Sequence, residues 1–372
     1  MLATEADHKK LEMKHFSAIL LVSLLICPPA IAGGEKLASS KPVTLSGYLE
    51  TYYLHDFNHP DQEERPGFTY SHNAVDQPSI NLGLIRVQFG HEHLRGNLAL
   101  GSGTYMRTNY AAEPRDLQKV FEVNIGMLLA DRLWLDVGVM PSHIGFESAI
   151  GMDNPTLTRS MMADNSPYFE TGAKLTYTSE DGQWTVSGLL LNGWQRIQRP
   201  AGNTTPAIGH QITFQPHSKL TLNISSLIGN DQSDRDRRMR YFHNFYAKYQ
   251  INEAWGVIAA LDIGAQQVAR GSKSYDVWWT PVLITQYRHS ERLSFALRGE
   301  YYNDKDQVIV STNTPEGFRT ASYSANADYR VSDYFMVRAE IRGFDSRDDI
   351  FPTNNGFSDS SLTATTSAIL HF

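Results

Sequence analysis

Cysteine is nearly missing: Cys27 stands alone in 372 residues, so neither a disulfide framework nor a thiolate metal site can organise the chain. No stretch approaches the ~20 consecutive apolar residues of a membrane-spanning helix. The one apolar run, Phe16 to Ile26, is too short. Charge of neither sign dominates, and a net charge of −7 gives no electrostatic case for binding nucleic acid. Absent too are G-x-S-x-G, H-E-x-x-H, a P-loop, and a G-x-G-x-x-G between strand and helix, so no enzyme class announces itself. No solenoid period and no Pro- or Gly/Ser-rich linker divides the chain, which reads as one domain.

What is present begins at the ends. Lys9, Lys10, Lys14 and His15 precede the apolar run, which leads through Pro28 and Pro29 to Ala30-Ile31-Ala32. A basic region, an apolar centre and an A-x-A site make a secretory signal, predicting residues 1–32 as a signal peptide cleaved after Ala32. Met13-Lys14-His15 is itself a plausible start, so residues 1–12 read as an upstream extension. Cys27 raises a lipid-anchored alternative, which the bulky Ile26 before it disfavours. At the other end, Leu362 to Phe372 alternates apolar and polar residues and stops on an aromatic side chain. It resembles the terminal strand by which outer-membrane barrels are recognised for insertion, with Phe372 as the insertion signal.

Between these ends, period-two alternation and turn residues predict about sixteen strands, among them 43–57, 94–106, 168–178, 184–192, 293–303, 335–344 and 362–372. Their connections alternate in length. Seven are tight, such as Glu92-His93 and Ala130-Asp131-Arg132, and eight are long and polar: 58–79, 107–119, 141–167, 193–207, 230–240, 266–276, 304–319 and 345–361. That alternation belongs to an all-β, transmembrane, antiparallel up-and-down barrel with short periplasmic turns and long extracellular loops. Residues 33–42 read as a short periplasmic lead and 43–372 as the barrel. A mean hydropathy of −0.36 does not object, because only alternate residues of each strand face lipid.

The faces support this. Leu293, Phe295, Leu297, Gly299 and Tyr301 share one face, and Ser294, Ala296, Arg298 and Glu300 the other. A dry core would not tolerate such a charged row, whereas a water-filled lumen would. Phe169 and Tyr177, eight residues or about 26 Å apart along a strand, would sit in the two interfacial aromatic girdles, as would Tyr323 and Tyr329. The triple Leu189-Leu190-Leu191 breaks clean alternation. By parity the inward acids are Glu50, Glu122, Asp136, Glu170, Asp262, Glu300, Asp328 and Glu340. The inward bases are Arg86, Lys174, Lys248, Arg298, Arg330, Arg338 and Arg342. The two sets nearly cancel, so the wall alone predicts no strong ion preference. Arg298, Arg330, Arg338 and Arg342 would form either a basic ladder or structural ion pairs with Glu300, Asp328 and Glu340.

The stretches Ser46-Gly-Tyr-Leu-Glu50, Leu133-Trp-Leu-Asp-Val-Gly138, Ser142-His-Ile-Gly-Phe-Glu-Ser148, Thr156-Leu-Thr-Arg-Ser160, Ser166-Pro-Tyr-Phe-Glu170 and Leu191-Asn-Gly-Trp-Gln195 resemble the OmpL-like β-barrel porin family. The likeness spans the chain beyond the signal. It implies an outer-membrane barrel of a Gram-negative bacterium, termed a porin by analogy, and supplies no solute.

Segment 141–167 is less polar than a loop left in water, carrying Ile144, Phe146, Ile150, Met152, Leu157 and Met161. Two readings stand: it folds into the lumen, where His143, Glu147, Asp153 and Arg159 set a field across a constriction, or it packs on the outer rim. His91-Glu92-His93 falls at a tight turn and His55 and His59 at a loop, so no metal or cofactor is expected. The expected partners are the outer-membrane bilayer, the barrel-assembly machinery and small hydrophilic solutes, with monomer and trimer both open. A diffusion channel is the leading function, since barrels of this strand number enclose an aqueous lumen. An outer-membrane hydrolase and a loop-plugged adhesion or structural barrel are the alternatives.

Overall fold

Strands form where apolar and polar residues alternate and where β-branched and aromatic side chains pack on a pleated surface. A computed structural model describes residues 42–372. The expected signal peptide, the expected upstream extension and nearly all of the expected 33–42 lead lie outside those residues. The first strands are β1 (Val43–Asp56), β2 (Ser79–His91), β3 (Leu94–Ser102), β4 (Val120–Ala130), β5 (Leu133–Pro141) and β6 (Phe169–Thr178). Next come β7 (Trp184–Leu191), β8 (Ala207–His217), β9 (Leu220–Gly229), β10 (Arg240–Gln250), β11 (Trp255–Gln267) and β12 (Tyr275–Arg288). The last are β13 (Leu293–Asp304), β14 (Phe318–Arg330), β15 (Phe335–Ser346), a small hairpin of β16 (Phe351–Thr353) and β17 (Gly356–Ser358), and β18 (Ser360–His371).

All but the hairpin join a closed antiparallel barrel of sixteen strands, each paired with its neighbours in sequence. Closure comes from β1 against β18, in register from Tyr48 opposite His371 to Asp56 opposite Thr363. Beyond this ladder Gly47 and Phe372 exchange both backbone hydrogen bonds, at 2.9 and 3.1 Å. The Phe372 ring packs over Gly47, where a Cβ would make it shift. Every tight connection lies on the side of both strand termini β1 and β18, and every long one on the opposite side.

The outward face carries the lipid-facing band, with Ile125 73% and Leu297 61% exposed. Tyr177, Tyr323 and Tyr329 are exposed on it. Phe169 is not: its ring stacks on Tyr110 at 4.1 Å and is buried in the apolar cluster that holds Leu84, Ala99 and Tyr105. The loop after β3 shortens that strand. Gly103, at φ +127, sits against the backbone carbonyls of Ile80 and Asn81 where no Cβ would fit, so the strand stops at Ser102. A short helix, α1 (Thr104–Asn109), replaces the predicted strand end and buries Tyr105 and Met106. The leucine triple resolves as true alternation: Leu189 and Leu191 turn inward and pack with Ala207 and Leu227, while Leu190 is exposed.

The apolar core lies inside the barrel. Phe242, Trp278, Tyr302, Phe318 and Phe344, from the loop-side ends of β10 and β12 to β15, gather with Phe68, Ile144, Met161 and Phe351 from the loops.

Candidate functional site: a charged lumen crossed by one loop

Period-two geometry places a carboxylate or a guanidinium at alternate positions of many inward faces, and neighbouring strands bring opposite signs together. Arg298 lies 3.2 Å from Glu300 and 3.0 Å from Glu340. Arg342 lies 2.7 Å from Glu300, and Arg338 lies 2.7 Å from Asp328. Three members of the C-terminal arginine group are therefore neutralised in place. Arg330, at the tight-turn end of β14, has no carboxylate within 4 Å among the described residues. Arg86 meets Glu122 at 3.3 Å.

Asp136 has Lys174 as its cross-strand neighbour, yet it is Arg95 that grips it, through Nε at 2.7 Å and Nη2 at 2.5 Å. That pair reaches across β4 above Gly126, where a Cβ would strike both side chains. Sequence reasoning missed Arg95, although it shares an inward parity with Asn97 and Ala99. Asp262 accepts a hydrogen bond from Asn244 at 2.5 Å.

The segment between β5 and β6 bonds to opposite parts of this wall. Near its start, buried His143 pairs through Nδ1 with Glu170 at 2.7 Å and through Nε2 with the Ser226 carbonyl at 2.8 Å. The Gly145 N–H donates to Asn244 at 3.2 Å, and Lys248 donates to the Phe146 carbonyl at 3.4 Å. Its middle reaches β13 to β15. Thr158 donates to Glu340 through N–H at 2.9 Å and through its hydroxyl at 2.5 Å. The Met161 N–H donates to Glu300 at 2.6 Å, and that of Leu157 to Asn326 at 3.0 Å. In return, Arg298 donates to the Thr158 carbonyl at 2.7 Å, Arg342 to that of Arg159 at 2.8 Å, and Arg338 to those of Gly151 and Asn154 at 2.7 and 2.9 Å. The wall charges thus serve each other and the loop backbone together.

Within the segment, Arg159 is fully buried and donates to the Ser148, Leu157 and Ala149 carbonyls, at 2.8 to 3.1 Å. Glu147 accepts from the Ser160 N–H at 3.1 Å and from its hydroxyl, while Ser160 in turn caps the short helix α2 (Met161–Asp164). Asp153 accepts from the Ser148 hydroxyl at 3.2 Å. These three side chains shape the loop itself. Burial pushes the Glu147 carboxyl up, and Asp164 up to about 7. Two participants gave no sequence signal. His72, in the loop after β1, bonds Glu50 at 3.0 Å, and Asn81 donates to the same carboxylate at 2.8 Å. Around the barrel at this level most inward polar side chains are buried, including Glu50, Asn244, Thr280, Thr320 and Thr363.

A family model described as "Putative beta-barrel porin-2, OmpL-like" matches residues 42–372. The chain belongs to this family. It is an outer-membrane β-barrel porin, and its place is the outer membrane of a Gram-negative bacterium. No curated protein matches it by sequence. Among solved structures it is similar in fold to the anion-selective porin of Comamonas acidovorans, with TM-score 0.61, 9% identity, and coverage of 89% of this chain and 99% of that one. The outer-membrane channel DcaP of Acinetobacter baumannii is similar at TM-score 0.56 and 12% identity, over 92% of this chain and 100% of that one. Salmonella typhi OmpF in complex with daunomycin gives 0.58 and 12%, over 89% and 97%.

Proposed function

We propose that this porin is a passive, weakly selective diffusion channel for small hydrophilic solutes, narrowed by the segment between β5 and β6. The carrying observation is that one loop bonds to β9 and β10 at its start and to β13, β14 and β15 at its middle. A loop tied to well-separated parts of a wall lies across the lumen, and the passage left beside it sets size and selectivity. His143 is the hinge-side anchor of this constriction, while Glu147, Asp153 and Arg159 hold its shape. Neutralised wall pairs such as Arg338 with Asp328 support weak selectivity, since a paired charge adds little net field. Phe372 is proposed as the residue read by the barrel-assembly machinery after signal-peptide removal.

The test is single-channel recording in planar bilayers with a salt gradient. Ohmic steps with a small reversal potential are expected, and protein that inserts with heat-modifiable gel mobility but passes no current would overturn the reading in favour of a plugged barrel. The extent of burial around the loop is what favours that second reading. A hydrolase has one foothold: Ser226 and His210 Nδ1 are 2.5 Å apart on the outward face. Among the described residues no carboxylate bonds the other His210 nitrogen, so the orienting member of a triad is missing. We infer a non-enzymatic protein, and lipase activity that disappears in Ser226→Ala would contradict this.

A further inference from the structure

At the loop end of the barrel, three outer loops and the segment between β5 and β6 enclose a cavity of about 540 Å³. Phe68 and Tyr70 come from the loop after β1, Thr312 from the loop after β13, Asp349 and Phe357 from the stretch between β15 and β18, and Asn165 from the crossing segment. That volume suits a small solute. The lining carries one charge, the carboxylate of Asp349, and no Lys, Arg or His. Arg65 is next to Pro66 in the chain, but its guanidinium lies over the Phe344 ring at 4.9 Å and takes no part in the lining.

Three of the polar groups are acceptors. Asp349 is exposed, and among the described residues nothing bonds its carboxylate. Asn165 spends both amide hydrogens, on the Met161 carbonyl at 2.9 Å and the Phe68 carbonyl at 3.1 Å, so its Oδ1 is what remains for a ligand. The Thr312 hydroxyl donates to Gln307 at 3.4 Å and shares a 2.7 Å bond with Thr314, which occupies its hydrogen and leaves lone pairs. Aromatic rings stand beside them: Phe357 on β17 is 63% exposed, and Tyr70 is partly exposed. The open face of such a ring attracts a cation. A carboxylate or phosphate would meet a like charge with no cation in the lining to offset it. A protonated amine finds a counter-charge, acceptors and rings together.

Resting on the porin reading, we propose that the extracellular mouth holds a site for small solutes bearing a protonated amine, with Asp349 as the counter-charge, Asn165 as an acceptor, and Tyr70 and Phe357 as the ring faces. Asn165 belongs to the crossing segment, so an occupied site stands next to the element that narrows the lumen.

The test uses the full-length protein with glucosamine, glucose and glucuronate as probes, which are close in size and, at slightly acidic pH, cationic, neutral and anionic. Each is added on the loop side of a planar bilayer and, separately, titrated by calorimetry into detergent-solubilised protein. Glucosamine should block and bind, with glucose weaker by roughly tenfold or more, the difference a charge-assisted hydrogen bond makes, and glucuronate weakest. Asp349→Asn should abolish the preference for glucosamine over glucose, and Phe357→Leu should weaken glucosamine by about two- to fivefold. Because the Asp349 side chain bonds nothing in the protein, its replacement leaves folding intact, and heat-modifiable gel mobility checks this. Glucose binding as tightly as glucosamine in the parent, or an Asp349→Asn variant that keeps the preference, would overturn the proposal. Parent protein that prefers glucosamine by calorimetry yet passes no current would sustain the site and sink the channel, and parent that conducts without binding glucosamine would sink the site alone.

Discussion

Arg298, Arg338 and Arg342 on β13 and β15 and Arg65 in the loop after β1 are the same residue in the same buried half of the barrel, with opposite surroundings. The first three are matched by Glu300, Glu340 and Asp328 and also hold loop carbonyls. Arg65 has the Phe344 ring beneath it, and its Nε and Nη2 bond nothing. Charges of the first kind fix a loop in a lumen. A charge of the second kind holds no backbone in place through its Nε and Nη2.

The comparison can be broken by turning the first kind into the second. Glu340→Ala removes the acceptor of two Thr158 bonds and one partner of Arg298. Breaking a buried pair in this way should cost about 3–5 kcal/mol, read as an earlier thermal transition of the folded band in heat-modifiable electrophoresis. With Arg298 less neutralised, the reversal potential in a salt gradient should also move toward anion preference.

Asp164 sharpens the other side. Its carboxyl is buried, its Oδ1 bonds nothing, and burial raises it to about 7 despite Arg342 and Arg159 nearby. An unfolded aspartate titrates near 3.9. Folding thus favours the protonated acid, and stability is highest below about pH 4 and falls as pH rises toward 7, by on the order of 2–4 kcal/mol for this group. Asp164→Asn should remove that slope, so that the variant gains over the parent at pH 8 and not at pH 4. Denaturant melts across this range measure it.

The smallest effect concerns the Arg95–Asp136 pair on the opposite wall. Gly126→Val should destabilise the barrel by about 1–3 kcal/mol by overpacking beneath that pair, and Gly126→Ala, with the smaller side chain, by less. Thermal denaturation of the two variants decides it.

Much of the barrel was legible because parity repeats. The charged row of β15 with its apolar partner face follows from a period of two, and the alternating turn and loop lengths from up-and-down connectivity. Arg95 was within reach of the same rule. The loops were not, because they carry no period. That His72 meets Glu50, that Arg65 lies over Phe344, and that Tyr110 stacks on Phe169 depend on where the loops fold, which carries no period in the sequence. Gly103 shows the boundary case: the strand pattern runs on to Met106, and the backbone leaves it at Gly103, with φ +127.

Single-channel recording of the parent beside Glu340→Ala tests the central claim most directly. If the segment between β5 and β6 narrows a conducting lumen and Glu340 helps hold it there, the parent gives ohmic steps and the variant gives larger ones. Equal conductance from the two, or no current from inserted parent, would contradict it.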